Sequence, residues 1–123
     1  EVIVHQILGI PGETDADMVQ TARYIGQCGA QGIKLHLLHV LTGTDLAADY
    51  AAGAFETLTL DAYITLLEAC LRVLPREMVI HRLTGDGAKR DLIAPLWSAD
   101  KKRVLNAIHA AFVRDDLVQG SEL

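Results

Sequence analysis

Gly32-Ile33-Lys34-Leu35-His36-Leu37-Leu38-His39-Val40-Leu41, followed by Thr42-Gly43-Thr44, is the stretch on which the fold turns. It is the clearest strand in the chain, and a glycine break ends it. Successive side chains of a strand point to opposite faces. Ile33, Leu35, Leu37 and Leu41 therefore share a face apolar enough to pack on helices. Lys34, His36, Leu38 and Val40 point the other way. A strand with one greasy face and one face bearing lysine and histidine suits a sheet covered by helices on one side, with a polar space on the other.

Working outward, Val2-Ile3-Val4 and Ile7-Leu8 predict an earlier strand that ends at Gly9. Met78 to Leu83 predicts a third, broken by Thr84-Gly85-Asp86-Gly87. Helices fill the intervals. Thr14-Asp15-Ala16-Asp17 offers a capping oxygen and two carboxylates, and Met18, Ala22 and Ile25 follow at helical spacing up to Gly29. Asp45 to Ala52 reads as a short helix closed by Gly53. Leu60, Ile64, Leu67, Leu71 and Leu74 line a longer helix, which Pro75 ends. Leu92 to Leu96 is apolar and could be either strand or helix. A last helix starts near Ser98 or Asp100, with Val104, Leu105, Ile108, Ala111 and Phe112 inward and Trp97 as its anchor. The tail from Val118 is expected to fray.

The order β-α-β-αα-β-loop-α predicts an α/β fold with about three parallel strands joined by right-handed crossovers. A closed (β/α) barrel takes about 250 residues. The 123 residues here supply about half of one, so the expected fold is a partial TIM-type barrel spanning 1–123 as a single fragment. A small open α/β sheet, complete in itself, competes with it. The sequence opens inside an apolar strand, which reads as a piece of a longer chain.

Half of the residues are hydrophobic and 22% are charged, the balance of a folded domain. The net charge of −5 argues against a broad phosphate-binding surface within this segment. No apolar run approaches the roughly 20 residues of a membrane span, and Glu1-Val2-Ile3-Val4-His5 lacks the basic start of a signal peptide. Cys28 and Cys70 match no metal or redox spacing and read as two unpaired thiols of a cytoplasmic protein.

In parallel βα units the ligand lies at the carboxyl ends of the strands. All three strands end there in glycine breaks: Gly9-Ile10-Pro11-Gly12, Thr42-Gly43-Thr44 and Thr84-Gly85-Asp86-Gly87. Each could make a simple turn or let backbone approach a ligand. Alternation turns His5, His36 and His81 inward, with Lys34 near the base. Polar groups there need partners, which implies an occupied polar cavity. Each histidine could equally be a hydrogen-bonded wall residue. Glu13 and Asp86 could cap turns or touch a ligand, and Arg82, Lys89 and Arg90 could bind an anion or stay solvated. Two other readings compete with a cofactor site. His5, His36 and His81 could hold the metal of a hydrolase-type barrel, or the chain could be a non-catalytic α/β interaction module.

His5-Gln6-Ile7-Leu8-Gly9-Ile10-Pro11-Gly12-Glu13-Thr14 resembles the "GLPGET" segment of radical S-adenosylmethionine (radical SAM) enzymes. Ile33 to Leu41 with Gly43-Thr44-Asp45-Leu46 resembles their next strand and "GTxL" turn. His81 to Gly87, with Ile93-Ala94-Pro95-Leu96-Trp97-Ser98, is similar to the carboxy-terminal part of the YhcC-type subgroup, iron-sulfur oxidoreductases akin to the Elongator catalytic subunit. The resemblance implies a partial barrel, S-adenosylmethionine and a 4Fe-4S cluster. By motif, the cofactor-binding candidates are His5, Gly9, Pro11, Gly12, Glu13, His36, His39, Val40, Leu83 and Thr84. The first strand would meet the methionine or ribose part of the cofactor, and the two later strands its adenine. His5 stands where several relatives carry an acidic ribose contact. The family's CxxxCxxC is absent from this sequence, and three thiolates are needed to hold the cluster. The implied parent is thus a radical SAM enzyme that generates a 5′-deoxyadenosyl radical, and this fragment is expected to hold no cluster and to be inactive alone. Its partners would be the amino-terminal half of the barrel, an RNA substrate by analogy with Elongator, and further copies of itself through exposed strand edges.

Overall fold

The computed structural model describes residues 1–85 and 89–123. The expectations for Asp86, Gly87 and the Lys89 side chain lie outside the described residues. Three strands, β1 (Ile3–Leu8), β2 (Gly32–Leu37) and β4 (Val79–Arg82), form a parallel sheet in the order β1-β2-β4. Two others, β3 (Val40–Leu41) and β5 (Leu92–Ala94), form a separate antiparallel ribbon. Four helices accompany them: α1 (Asp15–Gln27), α2 (Asp45–Ala51), α3 (Leu60–Arg72) and α4 (Lys101–Arg114).

The caps follow from the sequence. Thr14 accepts from the Asp17 amide at 3.1 Å, and the Asp17 carboxylate accepts from the Thr14 amide at 3.0 Å, a reciprocal box that starts α1. Thr44, Thr59 and Asp100 cap α2, α3 and α4 one-way, their side chains accepting from the amides of Ala47, Ala62 and Arg103. Helix α3 ends at Arg72, one turn before Pro75.

The core lies between one face of the sheet and the helices. Leu8 from β1, Ile33, Leu35 and Leu37 from β2, Met18, Ala22 and Ile25 from α1, and Tyr63, Leu67 and Leu71 from α3 are all buried there. The expected faces of β2 hold for Ile33, Leu35, Leu37, Lys34 and His36. On β1, Val4 and Leu8 take the core side while Val2 is exposed.

The structure corrects two expectations. The strand read as Gly32 to Leu41 stops at Leu37. The Leu38 amide still donates to the Leu8 carbonyl at 2.9 Å, but Val40 and Leu41 then pair with Ala94 and Leu92. Val40 is fully buried in that ribbon and does not share the open face of Lys34 and His36. Apolarity continues across the break because a different strand covers it. The tail does not fray. The Gly120 and Glu122 amides donate to the Leu71 and Arg72 carbonyls at 3.0 and 2.9 Å, and Gln119 Nε2 donates to the Pro75 and Met78 carbonyls. The tail thus adds donors to the Leu71 and Arg72 carbonyls at the end of α3.

Candidate functional site

The face of the sheet turned away from the helices carries Ile3, His5 and Ile7 from β1 and Lys34 and His36 from β2. In register, His5 lies opposite Lys34 and Ile7 opposite His36, so the two histidines are diagonal neighbours. Their rings stack with centroids 5.1 Å apart and planes 19° apart, and His36 Nε2 lies 3.2 Å from His5 Nδ1. With Ile7, Leu37, Leu38 and His39 they line a cleft of about 300 Å3 at the carboxyl ends of β1 and β2. Among the described residues its lining is imidazole and aliphatic.

The rim of the cleft is built by turns. Gly9 has φ +93°, and a side chain there would press Leu58 Cδ1 at 3.3 Å and meet Leu38 Cβ at 3.8 Å. Its amide donates to Met18 Sδ at 3.1 Å, which ties the end of β1 to α1. Pro11 and Gly12 (φ +88°) occupy the centre of a turn closed by the Glu13 amide on the Ile10 carbonyl at 3.2 Å, as a type II turn requires. Pro11, Gly12 and Glu13 are exposed. Gly85, in the third break, approaches so closely that a Cβ would lie 3.1 Å from His39 Cε1 and 3.3 Å from the Leu37 carbonyl oxygen.

The expected site residues therefore separate. His5, His36 and His39 meet in one cleft, and Gly9 stands at its edge through Leu38. Leu83 and Thr84 line a neighbouring cleft of about 380 Å3 with Ile80, His81, Arg82, Lys101 and Leu105. Val40 lines neither cleft and is buried in the β3–β5 ribbon. His81 is remote from the other histidines. Its ring covers Gly32 at the start of β2, where a Cβ would come within 2.6 Å of it. Among the described residues no three His, Cys, Asp or Glu side chains gather to hold a metal, so the hydrolase-type histidine triad is not assembled. Arg90 is exposed.

Sequence reasoning passed over Tyr63 and took Trp97 as an anchor of the last helix, not of the rim. Tyr63 donates its hydroxyl to the Leu83 carbonyl at 2.5 Å, and Trp97 Nε1 donates to the Leu58 carbonyl at 3.0 Å, so two ring anchors set the heights of the rim loops. Their rings lie 5.8 Å apart. The signal for Tyr63 was a phenol inside an apolar helix stripe, a group that seeks a polar partner when buried. Burial holds the Tyr63 hydroxyl in its protonated, donating form, since its pKa is raised far above the ordinary phenol value.

The cysteines do not fit a cluster. Cys28 is exposed at the end of α1 and Cys70 is buried in α3. Burial pushes the Cys70 thiol up to about 12, so it is no thiolate at neutral pH. No helix among the described residues is long and apolar enough to cross a membrane.

Parallel βα units with glycine turns and a cleft at the strand ends define a segment of an α/β barrel. Residues 30–114 match the Radical_SAM C-terminal domain, and the chain belongs to that family. It is 40% identical over 119 residues to the uncharacterized protein YtqA of Bacillus subtilis and 32% identical over 123 residues to protein YhcC of Escherichia coli. These alignments cover 97% and 100% of this chain but only 37% and 40% of those proteins. The chain thus spans about two fifths of the length of these relatives. In fold it is similar to the archaeal Elp3 of Methanocaldococcus infernus, with a TM-score of 0.77 at 16% identity, over 97% of this chain and 28% of that one.

Proposed function

We propose that this chain forms the carboxy-terminal wall of a radical SAM barrel and contributes to the binding of S-adenosylmethionine, while the 4Fe-4S cluster is held by the amino-terminal half. One observation carries the reading: a cleft of about 300 Å3, walled by imidazole and aliphatic side chains, sits at the carboxyl ends of two parallel strands beside a glycine turn. Such walls suit a nucleoside, with Ile7 and Leu38 offering apolar contact and His5 a hydrogen-bonding ring nitrogen. Gly9 keeps the rim free of a side chain, and Glu13 stands on the turn beyond it. Reductive cleavage of the sulfonium would supply the radical chemistry when the cofactor is bound. This chain's own residues bind, orient and exclude water. Its two cysteines cannot hold a cluster, so the fragment alone is inert.

The outer edge of β1 is the place for the preceding strand of the amino-terminal half, and the isolated chain would self-associate through it. An RNA substrate remains part of this reading by analogy with Elongator. The test uses the full-length protein, purified without oxygen, with 5′-deoxyadenosine release and equilibrium binding of S-adenosylmethionine as readouts. Gly9→Val should abolish both, because it forces a branched side chain into a left-handed backbone position against Leu58. Undiminished binding in that variant would sink the assignment of the turn, and a wild-type protein that binds no S-adenosylmethionine would sink the whole reading.

A further inference from the structure

The Tyr63 hydroxyl stands close to the cleft and has no part in the proposed function as given. Tyr63 lies on the core side of α3 and is fully buried. Phenylalanine would fill the same space, so packing alone does not call for the oxygen. A buried hydroxyl is costly unless it finds a partner, and this one donates to the Leu83 carbonyl.

That carbonyl stands where the sheet releases the chain. The β2–β4 ladder runs as far as Lys34 opposite Arg82, and Leu83 is the next residue. Two residues on, a Cβ on Gly85 would lie 3.1 Å from His39 Cε1 and 3.3 Å from the Leu37 carbonyl oxygen. His39 and Leu37 line the cofactor cleft, while Leu83 and Thr84 line its neighbour. Residues 83–85 therefore form a partition between the two clefts. A shift of this partition toward β2 would press on the His39 ring and narrow the cofactor cleft.

Tyr63 opposes such a shift in two ways. Moving Leu83 breaks the hydrogen bond, and it also strands a hydroxyl in the core, which costs more than the net worth of the bond. The ring that carries the hydroxyl is itself held. Trp97 packs against it with centroids 5.8 Å apart, and Trp97 Nε1 donates to the Leu58 carbonyl at 3.0 Å. The Leu58 side chain in turn borders Gly9. One pair of rings thus links the glycine turn after β1 to the partition after β4.

We propose that Tyr63 is a positioning residue for S-adenosylmethionine: its hydroxyl holds residues 83–85 at the height that keeps the cofactor cleft open. This rests on the reading that the cleft takes that cofactor. Without the hydroxyl the partition samples displaced positions, and only the fraction in place binds. A bound cofactor restores the position, so affinity falls while turnover at saturation stays.

The experiment uses the full-length protein, purified without oxygen. Tyr63→Phe keeps the ring and its contact with Trp97. It should weaken equilibrium binding of S-adenosylmethionine about fivefold, the population shift that one ordinary hydrogen bond supports. The half-saturating concentration for 5′-deoxyadenosine release should rise by the same factor, while the rate at saturation stays within about twofold of wild type. Hydrogen exchange without ligand gives a readout independent of the cofactor. At Thr84 and Gly85 it should quicken about fivefold in Tyr63→Phe, and at Gly9 it should not change. Leu71→Val is the control for a purely structural effect. Leu71 is buried on the same helix, about two turns further from the rim. Its truncation should lower Tm by about as much as Tyr63→Phe and leave affinity unchanged.

Unchanged affinity or unchanged exchange in Tyr63→Phe would overturn the proposal with the cofactor reading intact. So would an equal loss of affinity in Leu71→Val, or a fall in the saturated rate with affinity preserved. A wild type that binds no S-adenosylmethionine removes the cofactor reading and the role of Tyr63 with it, even if exchange at Thr84 and Gly85 quickens.

Discussion

Leu35 and His36 are neighbours on one strand, yet they face different solvents. Leu35 is 0% exposed, enclosed with Ile33 and Leu37 beneath α1 and α3. His36 stands on the opposite face, where no helix among the described residues covers the sheet. The difference shows which part of the barrel is complete in this segment. The helix side is closed by the segment's own residues and carries its stability. The open side is polar and shaped for something else. The largest expected effect tests that division. Leu35→Ala removes a fully enclosed side chain and should cost about 3 kcal/mol in urea unfolding. His36→Ala should cost no more than about 0.5 kcal/mol. Equal losses would mean that the open face is a second core and the comparison is false.

The open face nevertheless has one tight spot, and it sharpens the contrast. Gly32 lies on that side of β2 with the His81 ring over it, and a Cβ there would fall 2.6 Å from His81 Cδ2 and Nε2 and 3.3 Å from the Val79 carbonyl oxygen. Gly32→Ala must displace the ring, at a cost of about 1–2 kcal/mol. In a His81→Ala background the cost should shrink to about 0.5 kcal/mol or less. A penalty that survives the second substitution would place the conflict in the β2–β4 backbone instead.

The faces were legible because they are written in adjacent residues. Alternation over Ile33 to Leu37 separates core from cleft, and Thr14 with Asp17 announces a helix within four positions. What was not legible depends on partners distant in sequence. Leu37 to Leu41 is almost unbroken in apolarity, and only the pairing of Val40 with Ala94 shows that the strand has changed sheets. The tail has no periodicity to read, since backbone donors at Gly120 and Glu122 hold it to α3. The site lies between these cases. Alternation turned His5 and His36 inward, but their contact comes from the register that sets Ile7 opposite His36. The same reasoning sent His81 toward them, whereas parallel register keeps it at the far end of the strands, over Gly32.

The closed side has its own exception, and it gives the smallest expected effect. Glu68 on α3 is only 5% exposed, and among the described residues its Oε2 is buried without a hydrogen-bond partner. Burial, and then the Asp115 carboxyl beside it, raises its pKa, while Arg72 and Arg114 pull weakly the other way. Asp115 itself is lowered, chiefly by its hydrogen bonds with Arg114. A carboxyl with a raised folded pKa binds its proton more tightly in the folded chain than in the unfolded one. Stability from this group is therefore present at low pH and is lost as pH rises from the ordinary carboxylate value through the raised one. Above that window the folded chain holds an ill-solvated charge. Glu68→Gln keeps the shape and removes the charge. It should stabilise the chain by about 1 kcal/mol at neutral pH, and the gain should fade toward pH 4 as Glu68 takes up its proton. Thermal unfolding of both proteins across that range measures the difference. A constant difference at every pH would show that Glu68 titrates alike in the folded and unfolded chains, and that the closed face shelters no strained charge.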